Sequence, residues 1–307
     1  MSNNKILCIV GPTGSGKTYL SQLIAEKISV EILSADSRQI YKYLDIGTAK
    51  PSTHFLKNIQ HYFINELEPT ESFNAGDFAI HSKKRIEEIF LRNKTPLIVG
   101  GTGLYIRSLL DGIFNGPPAD NELRNELLKK YSEDGGESLL KELNEVDSDS
   151  AKKMLPSNKL RIIRALEVFK ITGKPISQLQ KEQTKPIEYE VQQVALLWDR
   201  KKLYSNINER TDEMFSNGFI EEVISLKNKG FNAILQSLQT VGYKEIFAYL
   251  REEITLKRAV ELTKQNSRRF AKRQMTWFRA DSRIQWYPIS GKEDFPKIAE
   301  QIIRNFR

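Results

Sequence analysis

Eight residues near the amino terminus, Gly11-Pro12-Thr13-Gly14-Ser15-Gly16-Lys17-Thr18, follow the spacing GxxxxGK[ST], and their chemistry is the capture of a phosphate chain. Glycines let successive backbone N–H groups turn inward around an anion, and a helix beginning there adds its partial positive charge. Lys17 supplies a full charge to the phosphate oxygens. The Thr18 hydroxyl is suited to ligating a phosphate-bound Mg²⁺. Such a cradle selects a di- or triphosphate group but leaves its fate open: phosphoryl transfer is one outcome, and departure of diphosphate from an alkyl donor is another. Two more polar turns bear on that choice. Gly100-Gly101-Thr102-Gly103 follows an apolar run without the carboxylate that would organise the metal of a nucleotide hydrolase. Its glycines permit close backbone approach to a ligand, and Thr102 offers a hydroxyl. The available carboxylate is Asp36, in Ser34-Ala35-Asp36-Ser37-Arg38-Gln39, whose position suits a helix cap and a general base equally well.

The elements around these turns follow from the hydrophobic pattern. Five apolar residues, Ile6 to Val10, predict a buried strand stopped by Gly11-Pro12. From Thr18 the period changes, with Leu20, Leu23, Ile24 and Ile28 at helical spacing. A strand over Glu31 to Ser34 ends beside Asp36, a helix is predicted around Ala79 to Leu91, and a further strand, Pro96 to Val99, stops at Gly100. Strand and helix in alternation predict a parallel sheet whose ligands gather at the strands' carboxyl ends, so the three turns should converge on one crevice. Past Gly116-Pro117-Pro118 the chain reads as charged helices, 121–131, 137–146 and 160–171, followed by a linker over 180–190. The sheet resumes at Val194 to Trp198, and from Lys201 onward the pattern is helical. The predicted fold class is therefore α/β, a P-loop NTPase-like parallel sheet core with a helical insertion. Residues 1–115 and 191–307 would form the core, and 116–190 the insertion.

Composition narrows the partners. Among 307 residues, 47 Lys and Arg against 39 Asp and Glu leave a formal charge of +8, a bias toward a polyanion. The single cysteine, Cys8, excludes an intramolecular disulfide, and His54, His61 and His81 have no zinc-ligand spacing. No signal-peptide region is read at the amino terminus, and no apolar run nears the roughly 18 residues of a membrane span, so a soluble cytoplasmic protein is expected. At 100° per residue, Arg268, Arg269, Lys272, Arg273, Thr276 and Arg279 share one helical arc bordered by Phe270 and Trp277. A cationic face flanked by aromatics suits nucleic acid, and equally an ordinary surface helix with its aromatics packed inward.

The Asp36 element continues into Ile40-Tyr41-Lys42-Tyr43-Leu44-Asp45-Ile46-Gly47-Thr48-Ala49-Lys50-Pro51. Together with the P-loop, Gly100–Tyr105, Arg161–Val168, Val241–Lys244 and Lys272–Arg279, it resembles the bacterial tRNA dimethylallyltransferases over nearly the whole chain. In that family an isoprenoid diphosphate alkylates N6 of the adenine immediately 3′ of the anticodon. The resemblance implies Asp36 as general base, with Thr102, Lys17 and Arg210 completing the catalytic set and Gly11 to Thr18 holding the diphosphate. It implies tRNA contacts at Asp36, Ser37, Arg38, Gln39, Thr102, Arg124, Leu160, Arg161, Ile162, Ile163 and Arg164. Further contacts would be Gln239, Thr240, Val241, Gly242, Tyr243 and Lys244, then Lys272, Arg273, Gln274, Met275, Thr276, Trp277, Phe278 and Arg279. Implied partners are the tRNA anticodon stem-loop and dimethylallyl diphosphate, with Mg²⁺ held at Thr18 and the enzyme acting as a monomer off the membrane. A P-loop small-molecule kinase and a transferase acting on free adenine nucleotides remain the alternatives.

Overall fold

An unbroken apolar run has no face to offer water, and the first such run lies inside the sheet. In the computed structural model, which describes residues 4–114 and 116–306, β1 (Lys5–Val10) is hydrogen-bonded on both edges. Met1 to Asn3 and Asn115, where the sequence breaks the first domain, lie outside the described residues. The chain continues through α1 (Lys17–Ala25), β2 (Val30–Ala35), α2 (Thr53–Asn58), β3 (His61–Tyr62), α3 (Ala75–Leu91), β4 (Thr95–Gly100) and α4 (Gly103–Leu110). Helix α3 starts at a capping box, Asn74 with Asp77, four residues ahead of the predicted start. After the helical segment come β5 (Glu190–Trp198), α10 (Arg200–Ser216), α11 (Phe219–Asn228), α12 (Tyr243–Leu250), α13 (Leu256–Arg279), β6 (Ile284–Ile289) and α14 (Phe295–Phe306), with a 3₁₀ turn at Gln236–Leu238; the intervening α5 to α9 are described below.

Among the described residues the strands form one parallel sheet in the order β3-β2-β4-β1-β5-β6, an α/β core of P-loop NTPase type. Gly100 at the end of β4 is in register with Val10 on one side and Ala35 on the other, so the three predicted turns do emerge together. Two strands escape the sequence reading. β3 has only two residues, and β6, with Ile284, Tyr287 and Ile289 buried, lies within a segment read as helical. The core beneath the P-loop joins Leu7, Ile9, Leu20, Ile24, Leu97, Val194 and Leu196 to the α14 residues Phe295, Ile298, Ile302 and Ile303. Burying each such side chain is worth roughly 1.5–3 kcal/mol. The Phe295 ring meets Tyr19 edge-on at 5.0 Å, so α14 buttresses the start of α1.

A second compact unit runs from Ser108 to Ile187, where the sequence breaks at 116 and 190. The reason is a backbone bond from Ile187 N–H to Leu110 C=O at 2.9 Å, which pairs the entering and leaving segments. It holds α5 (Asn121–Asp134), α6 (Glu137–Val146), α7 (Ser148–Ala151), α8 (Lys159–Thr172) and α9 (Ile176–Gln183) around Leu127, Leu139, Leu143, Ile162, Leu166 and Val168. Helix α9 occupies part of the predicted linker. Its first turn is held by Asp147, which accepts from the Ser177 N–H at 2.9 Å and the Ser177 hydroxyl at 2.6 Å.

Candidate active site

The P-loop spans the gap between β1 and α1, and two distant helices pin it at Thr13. From α13, Gln274 accepts the Thr13 N–H at 2.9 Å through Oε1 and donates from Nε2 to the Gly101 carbonyl at 2.8 Å. From α10, the Arg210 guanidinium donates to the Thr13 hydroxyl at 3.0 Å. Lys17 Nζ donates to the Pro12 carbonyl at 2.8 Å. Burial, then the neighbouring Arg210 charge, push Lys17 down to about 7, with Asp36 pulling the other way. Arg210 is likewise lowered by burial and raised by Asp36. Two crowded, poorly solvated cations thus face one carboxylate, which is a site in want of an anion.

Asp36 follows β2, and its Oδ1 accepts the backbone N–H of Arg38 at 2.8 Å and of Gln39 at 3.4 Å. It therefore closes a turn rather than capping a helix. Thr102 reaches it from β4: its N–H donates to Ala35 C=O at 3.1 Å, and its hydroxyl accepts the Ser37 N–H at 3.1 Å. The glycines around Thr102 serve a different end from the one predicted. A Cβ on Gly101 would lie 2.4 Å from Gln274 Nε2, and one on Gly103 would lie 2.3 Å from the Trp277 indole, so protein rather than ligand fills those spaces.

Beyond Arg210 lies a cavity of about 450 Å³, lined by Ile46, Ala49, Lys50, Leu56, Arg210 and Met214 among others. Lys50 is almost wholly buried and donates to Tyr41 C=O at 2.6 Å, Asp45 Oδ1 at 2.7 Å and Asn65 Oδ1 at 2.5 Å. Gln39, expected on the RNA, ties this loop to the sheet. Its Oε1 accepts from the Ser34 hydroxyl at 2.9 Å, and its Nε2 donates to the Thr48 and Ala49 carbonyls at 3.3 Å. Arg38 donates to the Gln236 carbonyl at 2.8 Å. Sequence reasoning gave no role to Lys50 or to Glu222, whose carboxylate accepts three backbone N–H groups of the same loop.

The other residues expected to meet RNA divide by burial. On α13, Arg269, Lys272, Arg273, Thr276 and Arg279 are exposed, and Phe270 and Trp277 border them at 38% and 39% exposure. The Arg273 guanidinium stacks over the Phe270 ring at 5.7 Å. Met275 is half-buried, whereas Gln274 and Phe278 face inward, as the 3.6-residue period requires of residues opposite the cationic arc. Arg268 is half-buried and bonded to Asn208 Oδ1 at 2.5 Å. Around the start of α12, Gln239 and Lys244 are exposed, Thr240 and Val241 half-buried, and Gly242 and Tyr243 buried, the tyrosine against Phe219. In the helical unit Leu160 and Arg161 are exposed, but Ile162 and Ile163 belong to its core. Arg124 and Arg164 are engaged by Glu167, fully buried, at 2.7 Å and 2.6 Å, so their first role is to neutralise a carboxylate that sequence reasoning passed over.

Comparison with known proteins gives the chain its relatives. Residues 39–281 match the IPP transferase family. A tRNA dimethylallyltransferase of Thermodesulfovibrio yellowstonii is 46% identical over 303 residues, covering 97% of this chain and 96% of its own. One from Geobacillus thermodenitrificans is 43% identical over 98% of this chain and 95% of its own. Among solved structures, the full-length tRNA isopentenylpyrophosphate transferase of Bacillus halodurans aligns with a TM-score of 0.73 at 35% identity, covering 99% of this chain and 97% of that one. A eukaryotic dimethylallyltransferase acting on tRNA reaches 0.82 at 25% identity, covering 99% and 80%. With likeness of this degree running through the P-loop, the Asp36 turn and the cationic helix alike, the chain belongs to the IPP transferase family.

Proposed function

We propose that this protein transfers a dimethylallyl group from dimethylallyl diphosphate to N6 of the adenine 3′ of the anticodon in tRNA, releasing diphosphate. The observation that carries the reading is the meeting of an anion cradle, Lys17 with Arg210, after β1 and a carboxylate, Asp36, after β2, on either side of a β4 end that lacks a hydrolase-type acidic residue. In the proposed reaction the adenine amine attacks the allylic carbon, whose bond to diphosphate oxygen breaks. The N6 proton passes to Asp36, which answers the weakness of an amine whose lone pair is delocalised into the ring. Charge developing on the leaving oxygens is met by Lys17, Arg210 and the backbone N–H groups of Gly14 to Thr18. Thr102, tied to the Asp36 turn, is suited to orienting base or acceptor. The cavity beside Arg210 offers Ile46, Ala49, Leu56 and Met214 to an alkyl chain whose diphosphate the guanidinium can hold.

Mg²⁺ fits the donor set in one way. Among the described residues no three His, Cys, Asp or Glu side chains gather to hold an ion, so it would be bound by the exposed Thr18 hydroxyl together with diphosphate oxygens and water. When bound, it supplies charge neutralisation to the leaving group. An adenine stacked in an anticodon loop must be flipped out to reach Asp36, and the exposed cations and aromatics of α13 support contact with the phosphates and neighbouring bases. Among the described residues no helix is long and apolar enough to cross a membrane; we infer a cytoplasmic monomer. Incubation with unmodified tRNA and radiolabelled dimethylallyl diphosphate should transfer label to RNA and release diphosphate only when both substrates are present. Phosphoryl transfer from ATP to an added small-molecule acceptor, with ADP released, would establish the kinase reading instead, and label on AMP but not on tRNA would establish the free-nucleotide transferase.

A further inference from the structure

The loop that lines the cavity with Arg210 closes on itself through Ala49 N–H to Ile46 C=O at 2.9 Å and Lys50 N–H to Asp45 C=O at 3.1 Å, but the N–H groups that lead into it are held from outside. Asp45, Ile46 and Gly47 present three consecutive N–H groups, which a regular strand or helix would pair within itself. Here one side chain from another element takes all three. Glu222, on α11, accepts Asp45 N–H at 2.9 Å and Ile46 N–H at 2.6 Å through Oε2, and Gly47 N–H at 3.2 Å through Oε1. The Tyr243 hydroxyl donates to the same Oε1 at 2.6 Å from the start of α12. Four donors on one carboxylate form a charge-assisted network whose geometry is fixed from two helices. The rings of Phe219 and Tyr243 also close against Gly47, with their centroids 5.0 Å apart. Asp45 and Ile46 line the cavity, as does Lys50, which is bonded to Asp45. Glu222 itself does not line it.

We propose that Glu222 is a positioning residue for the alkyl donor: by holding the Asp45–Gly47 turn it sets the wall of the cavity that Arg210 also lines, and Tyr243 orients its carboxylate. This rests on the reading that dimethylallyl diphosphate occupies the cavity beside Arg210. The burial of Tyr243, in a segment expected to meet RNA, then has a cause. Its hydroxyl works toward the donor side of the site rather than toward the nucleic acid.

The test is steady-state kinetics of Glu222→Ala, Glu222→Gln and Tyr243→Phe with both substrates varied, alongside thermal melting. Losing charged acceptors for several N–H groups should raise the KM for dimethylallyl diphosphate roughly ten- to hundredfold in Glu222→Ala. The rise should be smaller in Glu222→Gln, which keeps one oxygen, and smallest in Tyr243→Phe, which leaves all three backbone contacts. The KM for tRNA should stay at the wild-type value in all three. A folded Glu222→Gln with unchanged donor KM overturns the proposal. A rise of both KM values in step with a lowered melting temperature also overturns it, because the contact would then merely hold the fold. If the wild-type enzyme transfers no label from dimethylallyl diphosphate, it is the functional reading that fails.

Discussion

Asp36 has two oxygens and two demands on it. The turn's N–H groups of Arg38 and Gln39 both fall on Oδ1, which leaves the lone pairs of Oδ2 out of that turn. Asn at this position would keep the Oδ1 acceptor, and with it the local shape, while losing the basic oxygen. Asp36→Asn should therefore bind tRNA normally in a filter assay yet turn over about 10²–10⁴-fold more slowly. Near-normal turnover would remove Asp36 from the mechanism. Lys17 gives a second residue-scale consequence. With burial and the Arg210 charge holding it down to about 7, it is largely neutral above that pH, and an anion bound beside it favours its charged form. Since the ligand-bound form prefers the protonated lysine, affinity for inorganic diphosphate should fall as pH rises through about 7. Diphosphate itself gains negative charge over that range, which alone would strengthen binding. Calorimetry from pH 6 to pH 8.5 that shows affinity rising throughout would mean that Lys17 stays charged in the empty site.

At the scale of elements, α8 shows how a helix can carry two arginines three residues apart for different purposes. Arg164 donates to buried Glu167 and to the Pro117 carbonyl, while Arg161 is exposed. Arg164→Ala would leave Arg124 to neutralise the carboxylate alone, at a cost of about 1–3 kcal/mol in stability. Arg161→Ala should stay within roughly 0.5 kcal/mol of wild type. Thermal melts of the two variants decide this, and equal melting temperatures would show that Glu167 does not need its second partner. The same contrast explains what could be read in advance. β1 and β4 and their polar ends were legible because unbroken apolar runs and glycines are local signals, and β2 because a short apolar pair, Ile32-Leu33, runs out into Ser34 and Asp36. β3 is too short to carry a pattern, and the buried positions of β6, Ile284, Tyr287 and Ile289, do not follow a period of two. Helix α9 owes its cap to Asp147, thirty residues upstream. In the site, Lys17, Asp36 and Thr102 announce themselves by their own motifs. Gln274 and Glu222 act on backbone groups far away in sequence, where only the folded chain reveals the partner.

For the molecule as a whole, the excess positive charge is unevenly shared. Between Ser108 and Ile187 there are thirteen Lys and Arg and thirteen Asp and Glu, so the entire +8 belongs to the sheet-containing unit. Lys130 and Lys170 both pair with Glu142, and Lys181 with Asp149, which shows how the helical unit uses its cations internally. Long-range attraction of a polyanion should therefore be a property of the sheet unit, with the exposed arc of α13 at its centre. Salt dependence separates the two, because each cation that neutralises a phosphate adds close to one unit to the slope of log affinity against log salt. In the full-length protein, replacing Arg269, Lys272 and Arg273 by Ala should flatten that slope for tRNA by about two to three. Replacing the exposed Lys129, Lys152 and Lys153 of the helical unit should change it by less than about one. The reverse outcome, a steep loss from the helical set and none from α13, would mean that the phosphates lie along the unit whose net charge is zero.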